Sequence, residues 1–82
     1  MRKTSAKLGS RTDVQLGFGA AVRHFRLARG LTQEDLAGTT ELHVTYVSQV
    51  ERGLRNVTIY NIHRLAFALE VPPSMLVEAG AP

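Results

Sequence analysis

The chain has 82 residues, a formal net charge of +3 and no cysteine. That length points to one domain with a small core, and the lack of cysteine excludes a disulfide framework, a thiolate metal site and a cysteine nucleophile. With 44% hydrophobic and 21% charged residues the composition is that of a globular domain, and no apolar run approaches the ~20 residues of a membrane span.

The net charge conceals an asymmetry. Residues 1–30 carry seven Lys/Arg against one acid, whereas residues 31–82 carry three against six. A basic amino-terminal part fits an anionic partner, either nucleic acid or a membrane surface, or else a solvated tail.

Residues 1–16, MRKTSAKLGSRTDVQL, hold no apolar period. They are expected to form a basic, mobile tail ahead of a folded domain over 17–82. From Phe18 the pattern becomes helical. Phe18, Val22 and Phe25 recur at i, i+4, i+7 with Ala21 and Ala28 on the same side, and Gly30 can end the helix. Thr32 stands where an N-cap belongs, with Asp35 three residues on. A short second helix is expected from Gln33 to about Gly38, with Leu36 and Ala37 inward. A third should run from about Val44 to Arg52 and stop at Gly53. Thr58 can cap a fourth through Ala68 or Leu69, its inward face made by Ile59, Ile62, Leu65, Ala66 and Leu69. Pro72 and Pro73 break it, and a fifth is expected over Pro73–Val77. No segment alternates as a strand does, so the fold class is all-α: a five-helix bundle.

The third helix has a polar face. At 100° per residue, Thr45, Ser48, Gln49 and Arg52 fall within an arc of about 100°, with Val47 and Val50 opposite. That arc carries no acid. Threonine and glutamine can reach base edges in a major groove, and arginine can meet guanine or phosphate. A solvent-facing helix would carry the same residue types. Two short helices joined by a turn also lack the apolar surface to stand alone, which is helix-turn-helix anatomy.

The stretch GLTQEDLAGTTELHVTYVSQVERGLRNVT resembles the helix-turn-helix of the phage repressor/Cro family, also called the XRE family. The carriers are Leu31-Thr32-Gln33-Glu34, Leu36-Ala37 and Val47-Ser48-Gln49-Val50-Glu51-Arg52-Gly53. The likeness extends over about residues 17–77, and TQEDLA…TYVSQVERG is most similar to the small controller proteins of restriction–modification systems.

The resemblance implies a DNA-binding transcriptional regulator, repressor or controller, working as a homodimer on a palindromic operator. Gln33 and the backbone at the start of its helix would hold a phosphate. Val44, Thr45, Tyr46 and Gln49 would meet bases or adjacent backbone, and His43 would lie near phosphate. Arg55, Asn56 and Thr58 would touch the backbone beyond the groove. Arg26 and Glu51 match a family ion pair, and Ala37 marks a close crossing of the second and third helices. The chain departs from the family at two positions. Glu41 stands where many members have glycine in the turn, so Gly38 is a competing stop for the second helix. Val44 stands where controller proteins often have a guanine-reading arginine; valine can offer only an apolar contact, such as to a thymine methyl.

Phe67 lies off the inward arc of the fourth helix. With Val71, Met75 and Val77 it is expected to form an apolar dimer interface. GFGAAV at 17–22 is a fragment of a dinucleotide fingerprint without the strand it needs. His24, His43 and His63 show no convergence toward a metal, and no nucleophile–base signature occurs. No enzyme activity, cofactor or metal is expected. The partners expected are double-stranded DNA and a second copy of the chain, with no membrane, in the cytoplasm. Two alternatives stay open: an antitoxin that also binds a toxin protein, and a protein-interaction module reusing the fold.

Overall fold

The computed structural model describes residues 9–78. Five helices follow in order: α1 Arg11–Ala28, α2 Gln33–Thr40, α3 Val44–Glu51, α4 Ile59–Leu69 and α5 Pro73–Glu78. No strand occurs among the described residues.

Helix α1 begins six residues before the boundary expected from the apolar period. Ser10 and Asp13 form a capping box: the Asp13 N–H donates to Ser10 Oγ at 3.1 Å, and the Ser10 N–H donates to the Asp13 carboxylate. Local capping thus adds Arg11–Leu16 to the helix, although that stretch lacks a clean apolar stripe. Gln15 and Leu16 then have tertiary work. Gln15 Nε2 donates to the Gly53 carbonyl at 3.1 Å, and Leu16 lies against Gly53. The tail expected over 1–16 is therefore helical from Arg11; residues 1–8 lie outside the described part.

Each helix supplies the core. Phe18, Ala21 and Val22 come from α1, Leu36 and Ala37 from α2, and Val47 and Val50 from α3. Leu65, Ala66 and Leu69 come from α4 and Leu76 from α5. Burying a side chain of leucine or valine size stabilises by about 1.5–3 kcal/mol. Helix α1 packs on α3 and α5, and α2 packs on α3 and α4. Ile59 departs from the expected inward face of α4: it is 75% exposed, and Ile62 is half-buried. The first turn of α4 projects past the core, so only its later turns are covered.

The tightest crossing is between α1 and the end of α3. A Cβ at Gly19 would overlap the Val50 carbonyl oxygen and sit 2.8 Å from that of Glu51. The glycine there allows two helix backbones to touch.

Four helices end in one way. Each has a left-handed residue after its last turn: Gly30, Glu41, Gly53 and Glu70, with φ of 71°, 61°, 77° and 60°. Leu31, Leu42, Leu54 and Val71 then donate their N–H to the carbonyls of Arg26, Ala37, Gln49 and Ala66. That is the Schellman pattern, and it closes helix ends with few residues. Gly38, by contrast, lies inside α2 and is no stop.

Candidate nucleic-acid interface

The two helices of the motif are fixed by one buried polar cluster. Arg26 of α1 donates Nε to Glu51 Oε2 at 2.6 Å and Nη2 to Glu51 Oε1 at 2.9 Å, a two-pronged pair. Its Nη1 donates to the Leu31 carbonyl at 2.8 Å. Gln33, at the first position of α2, donates Nε2 to Glu51 Oε1 at 3.0 Å. One carboxylate therefore ties α1, α2 and α3 together. The hydrogen bond and charge of Glu51 hold the Arg26 guanidinium above its ordinary pKa, against the opposing effect of burial. No buried side-chain polar atom among the described residues lacks a partner.

The turn between α2 and α3 is closed by Thr40, Glu41 and Leu42. Thr40 Oγ1 donates to the Leu36 carbonyl at 2.7 Å and accepts the Leu42 N–H at 3.3 Å. Glu41 takes the left-handed conformation that usually favours glycine, and the turn closes without that residue. His43 caps α3. Its Nδ1 accepts the Thr45 N–H at 3.1 Å, so the ring hydrogen sits on Nε2 of an exposed side chain.

From that cap α3 presents the polar arc. Thr45 and Arg52 are exposed, and Ser48 and Gln49 are half-buried. None of the four joins the side-chain hydrogen bonds formed among the described residues, so their polar groups face solvent without internal partners. Val47 and Val50 on the opposite face are buried. Val44 is half-buried and packs on the core, so part of its side chain is spent on packing.

Beyond α3, Arg55 and Asn56 are exposed in the loop, and exposed Thr58 caps α4 by accepting the Asn61 N–H at 3.2 Å. The Arg55 guanidinium lies 4.8 Å from the centre of the Tyr46 ring. Tyr46 is half-buried, and its hydroxyl accepts from Asn61 Nδ2 at 3.2 Å. Arg64 donates Nη1 to Asn61 Oδ1 at 3.3 Å and Nη2 to the Thr40 carbonyl, and it lies over the Tyr60 ring. Asn61, Arg64 and Tyr60 escape a reading of the sequence. Periodicity gives their face on α4 but not what that face meets.

The expected dimer residues do not gather in one depression. Phe67 is 83% exposed on α4. Val77 lines a cleft with Val14, Phe18 and Ile62, and Met75 lines another with Gly17, Ala20 and Phe25. Val71 is half-buried against the core. Tyr60, 71% exposed, extends the apolar surface of α4 together with Ile59.

A helix-turn-helix domain family matches residues 18–79. The control protein C.BamHI of Bacillus amyloliquefaciens is 43% identical over 67 residues, covering 80% of this chain and 83% of that protein. The chain belongs to the helix-turn-helix family of the restriction–modification controller proteins. Two solved structures extend the likeness. The controller C.AhdI of Aeromonas hydrophila superposes with a TM-score of 0.74 at 47% identity, over 76% of this chain and 94% of that one. C.Esp1396I, solved as a tetramer in complex with its natural 35 base-pair operator, superposes with a TM-score of 0.72 at 34% identity, over 82% of this chain and 93% of that one. The controller family is one of DNA-binding regulators rather than a class of enzymes. Among the described residues of this family member, no helix is long and apolar enough to cross a membrane.

Proposed function

We infer that the protein is a sequence-specific DNA-binding transcriptional regulator, acting without catalysis in the cytoplasm as a homodimer on a palindromic operator. The observation that carries this reading is the solvent-facing, acid-free arc of α3, with candidate phosphate contacts on both flanks. On one flank Gln33 opens α2, where backbone N–H groups and the helix dipole favour an anion. On the other stand Arg55, Asn56 and Thr58. Thr45 and Gln49 read bases, assisted by Tyr46 and the exposed part of Val44. Arg52, Ser48 and the Nε2–H of His43 reach the groove edge or the backbone. That C.Esp1396I was solved in complex with its operator supports DNA as the partner.

Gln33 plays two parts in this reading. Its amide nitrogen already donates to Glu51. The buried carboxylate thus orients the residue, leaving the second amide hydrogen to donate to a phosphate and the carbonyl oxygen to accept from an adjacent donor.

Symmetry follows from size. One α3 spans only a few base pairs, so specificity needs two half-sites about 34 Å apart, read by two copies. The exposed Phe67, with Val71, Met75 and Val77 around the α4–α5 end, supplies apolar surface for that pairing. The basic residues of segment 1–8 add attraction to the phosphate backbone.

Selection of binding sites from random duplex DNA with the purified protein tests the reading. A palindrome with half-sites about one helical turn apart is the expected result. Failure to enrich any sequence would overturn it.

A further inference from the structure

The side chains of Arg64, Asn61 and Tyr46 form a hydrogen-bond chain with a fixed direction. Arginine can only donate, so the Asn61 atom that Arg64 Nη1 approaches at 3.3 Å is the carbonyl oxygen. The amide orientation is thereby set, and Nδ2 is the atom facing Tyr46 Oη at 3.2 Å. An amide nitrogen donates, so the tyrosine hydroxyl must accept there. Its own hydrogen remains to be given elsewhere. Arg64 is itself anchored on the Thr40 carbonyl and over the Tyr60 ring, so the chain starts from the turn between α2 and α3.

The far end of the chain lies beside the proposed DNA-binding surface. Tyr46 follows Thr45 on α3, and the Arg55 guanidinium sits 4.8 Å from its ring centre. A cation on that face favours an electronegative acceptor near the hydroxyl. All three side chains of the chain are half-buried, so water competes with these bonds less than at an open surface.

We propose that Asn61, oriented by Arg64, is a positioning residue that commits the Tyr46 hydroxyl to donating a hydrogen bond to DNA. The inference rests on the DNA-binding reading above. It assigns specificity or affinity to two α4 residues outside the helix-turn-helix motif. It also links the Thr40 carbonyl at the end of α2 to the groove-facing edge of α3 through the side chains of Arg64, Asn61 and Tyr46. The acceptor is a phosphate oxygen or a base-edge atom, since both share the chemistry.

A double-mutant cycle tests this, using the duplex recovered by selection with the parent protein and Kd read by fluorescence anisotropy. Melting curves for each variant run alongside. Tyr46→Phe removes the donor and should weaken binding by about fivefold, the size of one hydrogen bond. Asn61→Ala should cost a similar factor when Tyr46 is present and less than about twofold in the Tyr46→Phe background. Asn61→Asp retains a partner for Arg64 and so guards against loss of fold. It draws the tyrosine hydrogen inward, so it too should cost more with Tyr46 than with phenylalanine. A loss confined to the selected duplex assigns a base-edge acceptor; an equal loss on an unrelated duplex assigns a phosphate. Equal Asn61 losses in both backgrounds overturn the inference alone. A parent protein that selects no duplex overturns it together with the DNA-binding reading.

Discussion

Glu41 and Glu70 both hold left-handed backbone, at φ 61° and 60°, where the other two helix ends use glycine. A side chain in that region costs about 1 kcal/mol, because Cβ crowds the neighbouring carbonyl. Glu70 recovers part of this through an exposed ion pair with Arg29 at 2.9 Å, worth under about 1 kcal/mol. Glu41 forms no ion pair among the described residues. Glu41→Gly should therefore raise stability by about 1 kcal/mol and Tm by about 4–8 °C, as read by thermal melting. A drop in Tm would show that the side chain stabilises the turn. The cap of α2 gives a pH-dependent expectation. The Thr32 N–H donates to the Asp35 carboxylate at 2.9 Å, and the Thr32 side chain accepts the Asp35 N–H. The Thr32 backbone N–H first, and the Thr32 hydroxyl second, hold the Asp35 carboxyl below its ordinary value. A depressed pKa in the folded state makes the stabilisation present above the unfolded value and lost as pH falls through the folded one. The Tm difference between parent and Asp35→Asn should be full near neutral pH and should shrink as pH falls below the ordinary carboxylate range.

At the scale of elements, the α1–α3 crossing and the Arg26–Glu51 pair together set where α3 lies. Gly19→Ala places a methyl against two carbonyl oxygens of α3. The gain in helix propensity, about 1 kcal/mol, is smaller than the cost of forcing two backbones apart. We expect a net loss of about 1–3 kcal/mol in denaturant unfolding. DNA affinity should fall further than the fraction folded accounts for, because α3 is displaced. Arg26→Ala leaves the Glu51 carboxylate, 2% exposed, with Gln33 as its remaining side-chain partner. The expected cost is about 3–5 kcal/mol. A melting curve within a degree or two of the parent would show that the pair does not hold the fold. The five helices and their order were readable because apolar spacing, threonine caps and proline breaks all act locally. The start of α1 was not. Ser10 and Asp13 begin the helix where the apolar pattern has not yet begun, and Gln15 and Leu16 acquire their role from Gly53, far along the chain. Ile59 failed in the opposite sense: it lies at the edge of the apolar arc of α4, but the core does not reach that turn.

For the whole molecule, pairing decides whether two copies of α3 can read two half-sites. Phe67 is the most exposed large apolar side chain among the described residues, so its removal should affect assembly while sparing the monomer's core. Phe67→Ser is expected to leave Tm at low protein concentration within a few degrees of the parent. It should shift sedimentation from a dimer toward a 9.0 kDa species and weaken operator binding by at least about tenfold, since half-site contacts are no longer linked. Unchanged sedimentation would show that Phe67 does not hold the two copies together. The basic excess of residues 1–30 and the acidic excess of residues 31–82 give the chain an electrostatic polarity.

The number and order of the helices and the polar arc of α3 were legible in the linear order of residues because they rest on short-range spacing, and the family and its Arg26–Glu51 pair were legible because they rest on a linear motif. The close approach at Gly19, the third donor that Gln33 gives to Glu51, and the chain from Arg64 through Asn61 to Tyr46 emerge only in three dimensions. Those depend on which faces of separate helices meet, and at what distance. Helical periodicity defines the direction of a side chain around its own axis, but it carries no information about the neighbour that side chain will find.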